Sequence, residues 1–167
     1  MNRSSLILFS LLTLTGCEAS EVDETPSSAE PAPVCMGSAD LCDRAYDEVS
    51  YFTSHNAMSN ESEGWFVPNH QIPLSAQLDL GVRALMLDIH EYEGELLLCH
   101  GVCMVGSEPL VARLDALREF LEANPTELLT LILESYVPAE DAAAAFVEAN
   151  LAPFAREQSP VESWPTL

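Results

Sequence analysis

The sequence predicts an α/β domain, and three observations carry the prediction. From Cys35 onward, segments of strand character alternate with segments of helical periodicity, the succession that builds a sheet with parallel strands. Two strand-like segments, Gly81 to His90 and Thr126 to Tyr136, are near-continuous apolar runs, as expected of strands covered on both faces. Polar residues collect where the runs end: His55 and Asn56, Asp88, His100 and Glu134. An α/β barrel gathers its active site in this way, at the C-terminal ends of its strands.

In chain order, residues 1–16 come first. One early cation, Arg3, is followed by an apolar run from Leu6 to Leu14 that is too short to cross a bilayer as a helix, then by small residues. This is the pattern of a signal peptide. Leu14-Thr15-Gly16-Cys17 resembles the bacterial lipobox, which implies cleavage before Cys17 and lipidation of its thiol. The expectation is an exported bacterial lipoprotein, membrane-anchored on the periplasmic or extracellular side; a plain secretory signal with an incidental cysteine is the alternative. Residues 17–34 are rich in Ser, Pro, Ala and acids with almost no bulky apolar side chain, so they read as a disordered tether.

Six arginines, no lysine and 27 acidic residues give a formal net charge of −21. Such a surface repels nucleic acid and anionic membranes, which excludes nucleic-acid binding. An anionic substrate would need local help from a metal ion, a protonated histidine or one well-placed arginine. Export makes disulfides the default for the four cysteines of the folded part. Local pairing, Cys35 with Cys42 and Cys99 with Cys103, is the simplest of the three connectivities. Zinc is disfavoured, because the spacings do not form two matching ligand pairs.

Asp47 to Asn56 alternates β-branched and aromatic residues and predicts the first strand, which breaks at the polar "SHNAMSNESEG". Residues 72–80 allow only a short helix. Gly81 to His90 is the second strand. Only "EYEGE" separates it from the next apolar run, too little for a parallel crossover, so Leu96 to Cys99 must return antiparallel through a turn at Gly94. That register sets Asp88 opposite Cys99 or His100. Residues 108–125 form the clearest helix, with Leu110, Leu114, Leu117 and Leu121 on one stripe and Pro125 closing it. Thr126 to Tyr136 predicts another buried strand, and residues 139–151 another helix.

Alternation puts Ala84, Met86, Asp88 and His90 on one face of the second strand, with Thr130, Ile132, Glu134 and Tyr136 as the corresponding set later. Two histidines and carboxylates around one point suit general acid–base chemistry, since histidine titrates near neutral pH and a neighbouring carboxylate favours its charged form. A phosphodiester cleaved by an internal hydroxyl fits: one histidine takes the hydroxyl proton and the other protonates the leaving oxygen. Asn56, Asp88 and Glu134 offer oxygen ligands of the kind Ca²⁺ or Mg²⁺ prefers. His70 reads as a solvent-exposed loop residue. Trp65 and Phe66 read as a loop packed over the barrel mouth, with interfacial lipid contact as the alternative.

Taken together, "TSHNAMSN", "QLDLGVRALMLDIH", "LLLCHGVC", "FLEANPTELLTLILESYV" and "WPTL" resemble the X-domain of the phosphatidylinositol-specific phospholipase C-like phosphodiesterases, in particular the secreted branch of bacteria and plants. The resemblance spans roughly Cys35 to Leu167. It implies a distorted TIM barrel, His55 as base, His100 as acid, and a phospholipid or small phosphodiester as substrate. In calcium-dependent relatives the metal sits on residues matching Asn56, Asp88 and Glu134, together with a glutamate two positions before the aspartate. Here that position is Met86, and the arginine that metal-free bacterial enzymes place two residues after the aspartate is His90. Met86 also argues against the glycerophosphodiester phosphodiesterases, which need that acid pair. A (β/α)₈ barrel takes about 250 residues, whereas 133 lie between Cys35 and Leu167, so the expectation is the N-terminal half of a barrel with open sheet edges. A non-catalytic lipoprotein or an inactive fragment of such an enzyme is the competing reading; nothing in the sequence sets the oligomeric state.

Overall fold

A computed structural model of the protein describes residues 32–167. The expected signal peptide, the lipidated Cys17 and the linker up to Pro31 lie outside the described residues. The fold is mixed α/β. Among the described residues one sheet has five strands, β1 (Thr53–Ser54), β2 (Ala84–Tyr92), β3 (Glu95–Cys99), β4 (Ser107–Pro109) and β5 (Thr130–Ser135), interspersed with helices α1 (Leu74–Asp79), α2 (Leu110–Ala123) and α3 (Ala139–Glu148).

β2 is the centre of the sheet. On one edge it pairs in parallel with β5, from Ala84 opposite Thr130 to Ile89 opposite Ser135. On the other edge it meets β1 in parallel at its start (Ser54 opposite Leu85) and β3 antiparallel at its end (Ile89 opposite Leu98). β4 lies outside β3, antiparallel to it. The β2–β3 hairpin closes through Glu93 and Gly94, at φ 54° and 86°, the two left-handed residues that a two-residue turn needs to match the strand twist.

The predicted alternation along β2 is present. Leu85, Leu87 and Ile89 are fully buried and join Leu98, Leu110, Leu114 and Leu117 in one core between sheet and helices. Truncating Leu87 to alanine there costs about 2–5 kcal/mol. The other face of β2 carries Ala84, Met86, Asp88 and His90.

Three expectations need correction. The first strand is two residues long, not ten: Tyr51 packs on Tyr46 instead of joining a ladder, and Phe52 is exposed. Tyr46 starts a 3₁₀ turn, stacks on Tyr51 with ring centroids 5.0 Å apart, meets Trp164 in a tilted contact at 4.4 Å, and bonds Thr130 Oγ1 at 2.7 Å. Hydrogen bonds from Tyr46 N to Pro165 O (3.0 Å) and from Leu167 N to Arg44 O (2.9 Å) tie the "WPTL" segment to this cluster. Second, β5 begins at Thr130 and is not buried throughout: among the described residues it pairs only with β2, and Ile132 and Leu133 are about 40 % exposed (41 % and 38 %). An apolar groove of about 640 Å³ runs beside it, lined in part by Leu131, Leu133, Phe146, Phe154 and Trp164. Third, β4 was not foreseen, since three residues ending in Pro109 carry no period to read.

Candidate active site

β1 and β3 share one edge of β2 and leave a gap between them. β1 ends at Ser54 opposite Leu85; β3, running the other way, ends at Cys99, which the hairpin register sets opposite Asp88. The chain leaving β1 turns at His55 and Asn56, and Ala57 N then donates to Met86 O at 2.9 Å. The chain leaving β3 turns at His100. Both turns therefore open onto the stretch of β2 that carries Met86 and Asp88.

Asn56 links them. It is buried, with φ at 49°, a left-handed conformation that Asn tolerates better than most residues. Only one orientation of its amide gives every atom a complementary partner. In that orientation Nδ2 donates to Asp88 Oδ1 (2.9 Å) and Oδ2 (3.1 Å), while Oδ1 accepts from His100 Nε2 (3.1 Å). His100 and Asp88 are thus joined through one amide rather than directly. With Nε2–H held by Asn56, Nδ1 is the His100 nitrogen that can deliver a proton.

Asp88 is buried, and its carboxyl is raised above the ordinary carboxylate range. Burial is the main cause and the charge of Glu134 the second; the charges of His100, His90 and His55 oppose the rise. Glu134 lies directly opposite Asp88 in the β2–β5 register, yet it is exposed and accepts a hydrogen bond from Tyr136 Oη, which raises the Tyr136 phenol. Glu134 is electrostatically part of the cluster but outside its hydrogen-bonded part. Tyr136 stacks on His90 with ring centroids 4.3 Å apart, and His90 Nε2 is buried without a partner.

The disulfides are Cys35–Cys42 and Cys99–Cys103, with Cα atoms 5.1 and 4.9 Å apart. The second closes the loop that carries His100. Trp65 is buried against Gly106, where an added Cβ would lie 2.6 Å from the indole, while Phe66 is exposed. His70 differs from its solvent-exposed expectation: it is half-buried and bonded to Ser54 Oγ and to the His55 carbonyl. Sequence reasoning also missed Gln77, which sits buried inside an otherwise ordinary helical stretch and gives no local signal.

The arrangement does not fit a calcium ion. Position 86 offers a thioether, a poor ligand for a hard cation, and Glu134 is exposed and engaged by Tyr136, so two of the expected ligand positions do not converge on Asp88. Among the described residues no three His, Cys, Asp or Glu side chains are grouped to hold an ion.

The family model described as PI-PLC X 1 matches residues 41–167. A PI-PLC X domain-containing protein of Arabidopsis thaliana is 30% identical over 139 residues, covering 73% of this chain and 33% of the relative. An uncharacterized secreted protein of Arthroderma benhamiae is 28% identical over 114 residues, covering 65% of this chain and 26% of the relative. A PI-PLC X domain-containing protein 1 from the same fungus is 30% identical over 102 residues, covering 60% and 33%. The chain spans a third or less of the length of these relatives. No solved structure gives a significant match.

Proposed function

Because the chain belongs to the PI-PLC X domain family, we propose that it is an exported phosphoric diester hydrolase of phospholipase C type, acting on a phospholipid or a related small phosphodiester. Its sheet is then the N-terminal half of a TIM barrel, with β1, β2 and β5 as the first parallel strands. The two disulfides and the secreted Arthroderma benhamiae relative support export; the lipobox adds the membrane anchor. The observation that carries the proposal is the Asn56 amide, which joins Asp88 to His100 beside His55 at the strand ends.

A hydroxyl of the substrate attacks phosphorus and His55 takes its proton. The new O–P bond forms, the bond to the leaving oxygen breaks, and His100 supplies that oxygen with a proton. Water reopens the cyclic ester with the two roles reversed. Asp88, tied to His100 through Asn56, holds negative charge beside the imidazolium and fixes its place. The unpartnered Nε2 of His90 lies two residues beyond Asp88 on the same strand face, where metal-free relatives place arginine, and offers a donor to a phosphate oxygen.

The test compares a phosphodiester with a poor leaving group and one releasing nitrophenol. His100→Ala should cost about 10²- to 10⁴-fold on the first and far less on the second, because nitrophenolate departs without a proton. His55→Ala should impair both. Equal losses for His100→Ala on both substrates would make His100 structural; no hydrolysis by the wild type would favour a non-catalytic lipoprotein.

A further inference from the structure

We propose that His70 is a positioning residue of this site: its Nε2–H holds the His55 carbonyl and so fixes the turn that sends His55 outward and Asn56 inward. The inference rests on the phosphodiesterase reading for its effect on rate, but its geometry stands apart from that reading. His70 Nε2 lies 2.7 Å from His55 O. A carbonyl only accepts, so this nitrogen carries the hydrogen.

Ser54 Oγ lies 3.0 Å from the same nitrogen and donates to Gln77 Oε1 at 2.5 Å, leaving its lone pairs to share the Nε2–H. Gln77 Nε2 in turn donates to Ala57 O at 2.9 Å and to Ile72 O at 3.3 Å. The carbonyls on either side of Asn56 are therefore both held by side chains from outside the turn, one from the loop before α1 and one from α1 itself. That matters because Asn56 is left-handed, a conformation that persists where its surroundings over-determine it.

The brace is itself anchored. His70 N donates to Ser59 O at 3.0 Å, and Glu61 N donates to His70 O at 2.8 Å. His55 is exposed, and the fixed points that aim it are the strand before it and the carbonyl behind it. Asn56 uses the same turn to reach Asp88 and His100. Releasing the His55 carbonyl would loosen base and bridge together, and misplacement by about 1 Å is enough to slow a reaction about 10²-fold.

Two variants of the full chain separate donor from bulk: His70→Phe removes the N–H and keeps the ring, and His70→Gln keeps a donor of similar reach. Two readouts separate geometry from catalysis. The first is hydrogen exchange of the Ala57 amide, which bonds Met86 O just past the turn. His70→Phe should speed it at least about tenfold while the β2–β5 ladder amides are unchanged, since local opening is governed by local contacts. The second is hydrolysis of a nitrophenyl phosphodiester. His70→Phe should lower kcat about 10- to 100-fold with KM nearly constant, His70→Gln should restore most of both signals, and His70→Phe should cost less in a His55→Ala background than in the wild type, because only the Asn56 bridge is then left to disturb. Unchanged Ala57 exchange, an equal acceleration of the ladder amides, or wild-type turnover in an active His70→Phe protein would overturn the proposal. A wild type without hydrolysis but with the predicted exchange response would sink the phosphodiesterase reading and leave the brace.

Discussion

Along one edge of β2 lie β1 and β3; along the other, among the described residues, lies β5 alone. The first edge holds the hydrogen-bonded part of the site, where Asn56, Asp88 and His100 satisfy one another and the turn is braced by His70 and Gln77. The second contributes Glu134, which reaches Asp88 through charge but spends its hydrogen bond on Tyr136. The comparison teaches that register brings residues together, while fixing them takes segments that close in from the flanks. Asp88 and Glu134 are in perfect register, yet only the one with neighbours on its free side is locked.

The change expected to break the comparison most is Asn56→Asp. Aspartate keeps some tolerance of the left-handed turn but replaces the two donated bonds to Asp88 with a second negative charge. Two carboxylates at one site cannot both ionise cheaply, so one is pushed up further. A carboxyl whose folded value is raised lends stability below its unfolded value and loses it as pH rises through the folded value. The variant should therefore approach the wild type's thermal stability in acid and fall behind it between about pH 4 and 7, with phosphodiesterase activity lower by about 10²-fold or more at neutral pH. A variant with wild-type stability and turnover at pH 7 would show that the Asn56 bridge fixes nothing.

Next in size is Arg83→Met, at the other end of the sheet. Arg83 Nε donates to Glu127 at 2.7 Å, Nη1 donates to the Leu78 and Val82 carbonyls at 2.6 and 2.9 Å, and the guanidinium lies 5.2 Å from the Phe120 ring. This clamp joins the end of α1 to the segment that leads into β5, so it is the strap between the closed and the open edge. Methionine keeps the stem and strands the Glu127 carboxylate. Because both partners stay partly solvated, the expected loss is about 2–3 kcal/mol rather than the full cost of breaking a buried pair, read as a lower urea midpoint. Hydrogen exchange should accelerate in β5 before it does in β3; the reverse order would mean that the strap does not serve the open edge.

Much of the closed edge was legible in the sequence because it depends on counting. Five residues between two apolar runs force a hairpin, and the hairpin length sets Asp88 opposite Cys99 or His100, of which the register of the sheet selects Cys99. Period-two alternation likewise assigned Asp88 and His90 to one face of β2. What stayed hidden depends on contacts between distant segments. The aromatic alternation around Tyr51 suggested a long strand, but Tyr51 packs on Tyr46, which in turn meets Trp164 from the far end of the chain. His70 lies 15 residues from the carbonyl it holds, and no local pattern announces that bond. β5 looked buried because its residues are apolar, yet what covers a strand is a matter of its neighbours, not of its composition.

A smaller effect is expected at the open edge. Glu134→Gln removes the second cause of the raised Asp88 carboxyl while burial, the first, remains. The Asp88 value should move down toward the ordinary range without reaching it. The variant's stability should consequently decline less steeply than the wild type's as pH rises from about 4 toward neutrality. At neutral pH the exposed substitution should shift stability by no more than about 0.5 kcal/mol. Identical pH profiles for the two proteins would mean that Glu134 is not coupled to Asp88 at all.

The smallest expected effect is that of chelation. A site built around calcium would present converging oxygens. Here Met86 offers sulfur and Glu134 is turned to Tyr136. The charge of a bound phosphate would instead be met by histidines, with the free Nε2 of His90 as the donor not already engaged. Excess EGTA should therefore leave nitrophenyl phosphodiester turnover within about twofold, and added Ca²⁺ should not raise it. His90→Leu should weaken substrate binding under both conditions alike, since removing a hydrogen bond to a charged group costs about 1.5–3 kcal/mol. If EGTA abolished turnover and Ca²⁺ restored it, Asn56 and Glu134 would have to swing onto the ion. The two edges of β2 would then close on the substrate together, and their difference would belong to the metal-free state alone.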